Sequence, residues 1–279
     1  MRKKFSLSLI ILLACLSFMG LRIKMEHIPR QKIPGSSIIY IPSGKYLKLA
    51  AFGYSSLLAD LVFLWAIQYY GDYSIPDRFR YFEHIFMIIS ELDPRYIDSY
   101  QVGALIALYD AKDVHLALKL FDLGLAKNPD MWIFPLEAGH YAQMYIKDYD
   151  LARDYYKKAM EIEGAPAIAQ RLYANAAFKT MDYRTAWETW IEIYRTSQDE
   201  QVKKIASNHL YQVKAAVDIR AIKTALQQFR EKFRRNPSEL AQLVRAGFLP
   251  SLFKDFDGRD YLYDPQTGEV TPPIIPWKR

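Results

Sequence analysis

Five histidines, His27, His84, His115, His140 and His209, are the side chains of this sequence best able to ligate a metal or move a proton near neutral pH. They are scattered, with no H-E-x-x-H pair, and Cys15 is the only cysteine. A metal site needs converging ligands, so this spacing predicts solvated or packing histidines. Glu83-His84, His140-Tyr141 and the carboxylates of Asp72, Asp77 and Glu91 offer acid–base pairs of a kind that any helical surface offers. The sequence holds no G-x-S-x-G elbow, Walker loop or G-x-G-x-x-G. These residues predict a non-enzymatic protein with no cofactor. The densest acidic stretch, Asp255, Asp257, Asp260 and Asp264, departs from an EF-hand loop, and Asp with Gly suits turns there.

The clearer pattern is a ladder of small and aromatic residues. Ala117, Ala152 and Ala186 lie 35 and 34 residues apart, and four residues after each comes a ring: Phe121, Tyr156 and Trp190. Four residues before each comes an acid, Asp113, Asp148 or Asp182, placed to cap a second helix after a tight turn. A period near 34 marks a two-helix unit that cannot bury its apolar face alone and must stack on copies of itself. The small residue lets two helices approach closely, and the ring fills the space between units. Pro129 and Pro166 follow the second helices, where a helix cannot continue.

These spacings resemble the tetratricopeptide repeat. Its second-helix pattern stands here as Ala117, Phe121, Gly124 and Pro129, then as Ala152, Tyr156, Ala159 and a displaced Pro166. The third copy keeps Ala186 and Trp190 but has Ile193 at the small position. Gly103 and Gly139 look like the family's first-helix glycine, one or two residues too far from the alanine, which predicts a bulge or longer turn. A fourth unit is expected upstream, with an apolar helix over 50–70 and a second over 78–92 closed by Asp93-Pro94. Leu57 to Tyr70 is apolar nearly all round and predicts burial against a neighbour, while Asp60 and its length argue against a membrane span. The resemblance implies a mainly α fold, a right-handed α-solenoid of three to four helix pairs whose first helices line a concave face. The partner-binding candidates by position are Tyr100, Gln101, Ala104, Tyr109, Glu137, His140, Tyr141, Gln143, Met144, Gln170, Tyr173, Asn175 and Lys179. Tyrosine and methionine on such a face suit an extended or helical peptide segment.

The N-terminus reads as targeting. Met1-Arg2-Lys3-Lys4 precedes a mostly apolar run from Phe5 to Leu21, which predicts an export signal retained as a membrane anchor over residues 1–22. Leu12-Leu13-Ala14-Cys15 looks like a lipoprotein box, so lipidation at Cys15 is an alternative, as is cleavage to a secreted form. Flanking charge leaves orientation open, because Arg22, Lys24, Arg30 and Lys32 match the n-region. The build of a signal favours a body outside the bacterial inner membrane, in the periplasm. Residues 23–45, broken by Pro29, Pro34-Gly35, Pro42 and Gly44, read as a linker with one extended segment at Ile38 to Ile41. A net charge of +6 is spread along polar faces, without the clustered stripe that nucleic acid requires.

After the repeats of 46–198, residues 199–232 predict one long helix or two collinear ones, with an apolar stripe from Val202 to Phe229. A small α+β tail follows over 233–279: a short helix from Leu240 to Ala246, then a hairpin across Asp264-Pro265-Gln266-Thr267. Gly247-Phe248-Leu249-Pro250, Asp255 to Gly258 and Tyr261 to Val270 resemble the end of the type II secretion pseudopilin module. Lys4-Phe5 and Leu9 depart from that family's leader, where glycine precedes the phenylalanine and glutamate stands at the fifth mature position. The resemblance implies a borrowed module that is neither processed nor assembled as a pilin. It also implies calcium on Asp255, Asp257, Asp260 and Asp264, which are hard oxygen donors, against the simpler turn-making role. The expectation is a membrane-anchored scaffold that binds a protein segment to assist assembly of a secretion, pilus or surface-appendage complex. Alternatives are a factor in peptidoglycan, lipid or cytochrome maturation, or a calcium-dependent enzyme.

Overall fold

The computed structural model describes residues 16–20 and 41–274. Cys15, most of the apolar run 5–21, the extended segment at 38–40 and residues 275–279 lie outside them, and so do the anchoring and lipidation expectations. Among the described residues the chain is mainly helical, with one two-stranded antiparallel sheet near its C-terminal end. None of these helices is long and apolar enough to cross a membrane.

Helix α1 (Gly44–Ala50) and helix α2 (Ser55–Gly71) meet at a corner where Phe52 and Gly53 have φ of 46° and 93°. The unbroken helix expected from residue 50 is corrected by that corner, since α2 starts at Ser55. A 3₁₀ turn (Arg78–Tyr81) then runs into α3 (Phe82–Leu92), close to the expected 78–92. The Glu91 carboxylate accepts the Lys45 amide at 3.1 Å, which fixes the start of α1 on α3. Ala59, Phe63, Ala66 and Tyr70 of α2 are buried, but Leu57, Leu61, Leu64 and Ile67 are exposed. α2 is thus buried against a neighbour, α3, as expected, but on one face only, and its apolar character extends to a second, open face.

The next helices are α4 (Ile97–Tyr109), α5 (Val114–Lys127), α6 (Ile133–Tyr141), α7 (Tyr149–Glu161), α8 (Ala167–Lys179) and α9 (Tyr183–Thr196). Each packs on the next in sequence. The three turns before α5, α7 and α9 repeat one device. Lys112, Lys147 and Met181 adopt the left-handed conformation, and Asp113, Asp148 and Asp182 follow. Those aspartates accept the amides of Leu116, Leu151 and Thr185 at 3.0, 2.9 and 3.2 Å, the N-capping expected of them. The expected bulge is a π turn over Ala142–Ile146 at the end of α6.

Ala117, Phe121, Ala152, Tyr156, Ala159, Ala186 and Trp190 are all buried, while Pro129 is exposed after α5. The Tyr156 ring lies so close to Gly139 that a Cβ there would come within 2.6 Å of it; at Gly103 the Phe86 ring and Leu120 come as near. Between units, Asn128, which also donates to the Gly124 carbonyl of its own helix end, donates to the Pro94 carbonyl, and Tyr155 donates to the Asp122 carboxylate.

Helix α10 (Glu200–Phe233) is a single helix of 34 residues. Its first half completes the core around Trp190 with Ala206, Leu210 and Val213. Its second half packs Ile222, Leu226 and Phe229 on Leu243, Leu249, Tyr261 and Val270 of the tail. The packing thus changes partner inside α10. The tail holds α11 (Ala241–Arg245) and strands β1 (Leu262–Tyr263) and β2 (Val270–Thr271), with Leu262 opposite Thr271 and Tyr263 opposite Val270. The Asp264 carbonyl accepts the Gly268 amide at 2.7 Å and closes the hairpin.

Gly139→Val is expected to destabilise the protein by about 1–3 kcal/mol in urea unfolding, because the new side chain overlaps the Tyr156 ring. Combined with Tyr156→Leu, the loss should be smaller than the sum of the two single losses. Burial lowers the pKa of His209, stacked on Trp190 at 4.0 Å, to about 4. The unfolded chain takes up that proton near the ordinary value of 6.5, so this contribution is whole above about pH 6.5 and is lost as pH falls towards 4. Urea midpoints of His209→Gln across this window should fall less steeply than those of the parent.

Candidate partner-binding surface

The residues expected to meet a partner separate once the helices are packed. Tyr100 is 1% exposed, sits edge-on to Phe134 at 5.1 Å and donates to the Pro94 carbonyl. Tyr141 is buried as well. Both are corrected to core positions, because each side chain points along its helix towards a neighbour. Gln101, Gln143, Tyr173 and Asn175 are half-buried, and Gln143 accepts from the Tyr156 hydroxyl at 3.2 Å. Tyr109, His140, Met144 and Lys179 are exposed.

Tyr109 belongs to a continuous group of rings that reaches from the core to the surface. Phe121 meets Tyr141 edge-on at 5.1 Å, Tyr141 meets Tyr145 at 5.5 Å, and Tyr145 meets Tyr109 at 6.4 Å. The Tyr109 and Tyr145 hydroxyls lie 2.7 Å apart and share a hydrogen bond, although these residues are 52% and 45% exposed. The π turn carries both Met144 and Tyr145. Burial pushes the Tyr141 pKa up to about 12, and the bond from Tyr109 raises that of Tyr145. At neutral pH these phenols are therefore neutral hydrogen-bonding groups and not bases.

Tyr73 continues the exposed aromatic character at the neighbouring unit. Its hydroxyl donates to Asp110, the residue after Tyr109, at 3.0 Å, and the Arg78 guanidinium lies 4.5 Å from its ring centre. Sequence reasoning missed Tyr73 and Tyr145. The signal was available, since Tyr73, Tyr109 and Tyr145 recur at intervals of 36 residues. Two rigid rings and a flexible thioether, backed by buried aromatics, make a surface able to bury apolar side chains at low entropic cost.

A second groove of ≈ 400 Å³ lies between α9 and α10, lined by Tyr183, Trp187, Val213 and Val217. On its rim Asp218 accepts from Lys214 at 2.6 Å and from Tyr261 at 2.7 Å. Trp187 stacks on Phe256 at 5.8 Å, so this groove adjoins the acidic turn.

In that turn the four aspartates serve separate purposes. Asp255 is buried and accepts from Tyr211 and from the amides of Asp257 and Arg259. Burial opposes its ionisation, but these bonds and the Arg259 charge outweigh that and leave its pKa below the usual carboxylate value. Asp257 pairs with Arg259, Asp260 with Lys254, and Asp264 accepts from the Gln266 amide and Thr267. Among the described residues no group of three or more His, Cys, Asp or Glu is placed to hold a metal ion. Each of the four carboxylates is engaged in a turn or in an ion pair. Of the acid–base candidates, Glu83 pairs with Lys119, Asp72 accepts from Ser74, and Glu91 caps α1.

No family model matches this chain, and comparison with curated proteins gave no match either. Millimolar calcium is expected to leave the melting temperature of the full chain unchanged. A rise that is lost in Asp255→Asn would restore the metal reading.

Proposed function

We propose that this protein is a non-enzymatic scaffold of the tetratricopeptide type, a right-handed helical solenoid that holds a segment of a protein partner. Residues 5–21 anchor it in the bacterial inner membrane, the body lies in the periplasm, and the partner belongs to an envelope assembly of the secretion, pilus or appendage kind. The observation that carries the binding reading is the exposed pair Tyr109 and Tyr145 joined by a hydrogen bond, with Met144 beside it and Tyr141 and Phe121 behind. A surface whose rings are held before binding loses little rotamer entropy when a partner arrives. The three identically capped turns support the repeat reading, because unrelated helices have no reason to share a left-handed residue followed by Asp. The hairpin tail supports the assembly system by analogy with pseudopilins alone.

A photoreactive amino acid at position 109 or 145, used in cells of the native organism, tests this reading. One dominant crosslinked membrane-associated partner is expected from both positions and none from Lys157 on α7. Tyr145→Ala should then weaken capture of that partner by about tenfold or more, roughly 1.4 kcal/mol. Diffuse products would favour the maturation-factor reading, and a dominant product from Lys157 alone would place binding on another face.

A further inference from the structure

The open side of α2 has no role in the partner surface. Leu57, Leu61 and Leu64 are each 55% exposed, Ile67 is partly so, and the spacing 57, 61, 64, 67 puts them along one side of the helix. Asp60, the only charged residue in α2, lies on the same side, three residues after Leu57 and four before Leu64, and is hydrogen-bonded to Tyr96, just before α4. The corner with α1 extends it. Phe52 is 89% exposed in a left-handed conformation that a bulky side chain adopts at a cost. Tyr46, Leu49 and Tyr54 stand exposed around it, and Lys45 and Lys48 share a face of α1 with Leu49.

We propose that this α1–α2 face rests in the interfacial layer of the bilayer that holds the anchor, with Phe52, Leu57, Leu61 and Leu64 among the acyl chains. The inference rests on the membrane-anchored reading of residues 5–21 and adds a second contact to it. Three observations select a lipid surface as the occupant. The apolar run ends at Leu21, and the 22 residues before α1 reach at most about 75 Å, so the face stays within range of the same membrane. From Arg22 to Lys48 the chain carries six lysines and arginines against one acid, Glu26, which complements anionic headgroups. The face is mainly aliphatic along α2, with Asp60 held by Tyr96 and Gln68 exposed among the leucines, and it has tyrosines, a phenylalanine and lysines collected at one end, the distribution of a helix lying in an interface. α2 cannot span the bilayer, since its other face is the core of the protein.

Such a contact would do more than tether. An anchor alone fixes where the chain meets the membrane, whereas a second contact on α1–α2 sets the attitude of the body. Because α2 packs on α3, the attitude of the whole helical stack follows.

The test uses the full chain, with Cys15 in place, reconstituted in liposomes of phosphatidylethanolamine and phosphatidylglycerol. An environment-sensitive fluorescent amino acid is placed at 52, at 61, or at the exposed Lys119 on α5 as a control. Positions 52 and 61 should be blue-shifted, quenched several-fold more than 119 by lipids with a spin label on the acyl chain, and shielded from aqueous iodide. If the protein floats with the liposomes but iodide quenches 61 as it quenches 119, the anchor stands and this inference falls. If 61 is shielded from both quenchers, protein covers the face, either residues 5–21 or a second copy, and the inference also falls. Failure to float would overturn the anchor reading and the inference together.

Discussion

The Tyr156 ring occupies the space that a side chain at Gly139 would fill, and the helical stack depends on contacts of that kind. Where one helix presents no Cβ, the next can seat a ring against its backbone, and close packing follows without a cavity. Gly103 receives Phe86 and Leu120, and Gly124 receives Phe134, by the same rule. The third unit has Ala174 and the larger Trp190 instead, and its core is completed from outside by α10. Replacing a ring opens a void, and adding a methyl group forces a clash, so each position constrains its partner on the adjacent helix.

The far end of the chain is held by a different means. The tail has two short strands and one short helix, too little apolar area to stand well by itself. Its stability is borrowed from the second half of α10, and two buried hydrogen bonds fix its orientation. Tyr211 donates to Asp255, and Tyr261 donates to Asp218, so each element supplies one donor and one carboxylate. The buried Asp255 is tolerated there because the bonds it accepts favour its charged form. The same aspartate that resembles a calcium ligand in sequence is already satisfied by protein donors.

The exposed apolar residues fall into two groups of different chemistry. Around Tyr109 and Tyr145 they are aromatic and hydrogen-bonded, backed by core rings, which suits recognition of side chains. Along α2 they are aliphatic, with little polar chemistry to orient a partner, which suits a medium. The helix that separates these groups from the core is in each case pinned by its buried face. A scaffold held at a surface and engaging a partner elsewhere on its body would need such a division.

Local signals were legible in the sequence because local physics decides them. An aspartate three residues before an amide caps a helix wherever it sits, so Asp113, Asp148 and Asp182 announced their turns. Gly247, Asp264 and Gly268 marked the end of the short helix and the hairpin in the same way. The buried alanines and rings were legible from their period, since a repeated interface must use repeated residues. Helical periodicity shows which residues share a face but not whether a neighbour covers it. Tyr100 and Tyr141 became core while Tyr109 and Tyr145 became surface, and the π turn that set Tyr145 is a one-residue adjustment between packed helices. The α2 stripe and the change of partner midway along α10 have the same origin: coverage belongs to the pair of elements, and only their packing decides it.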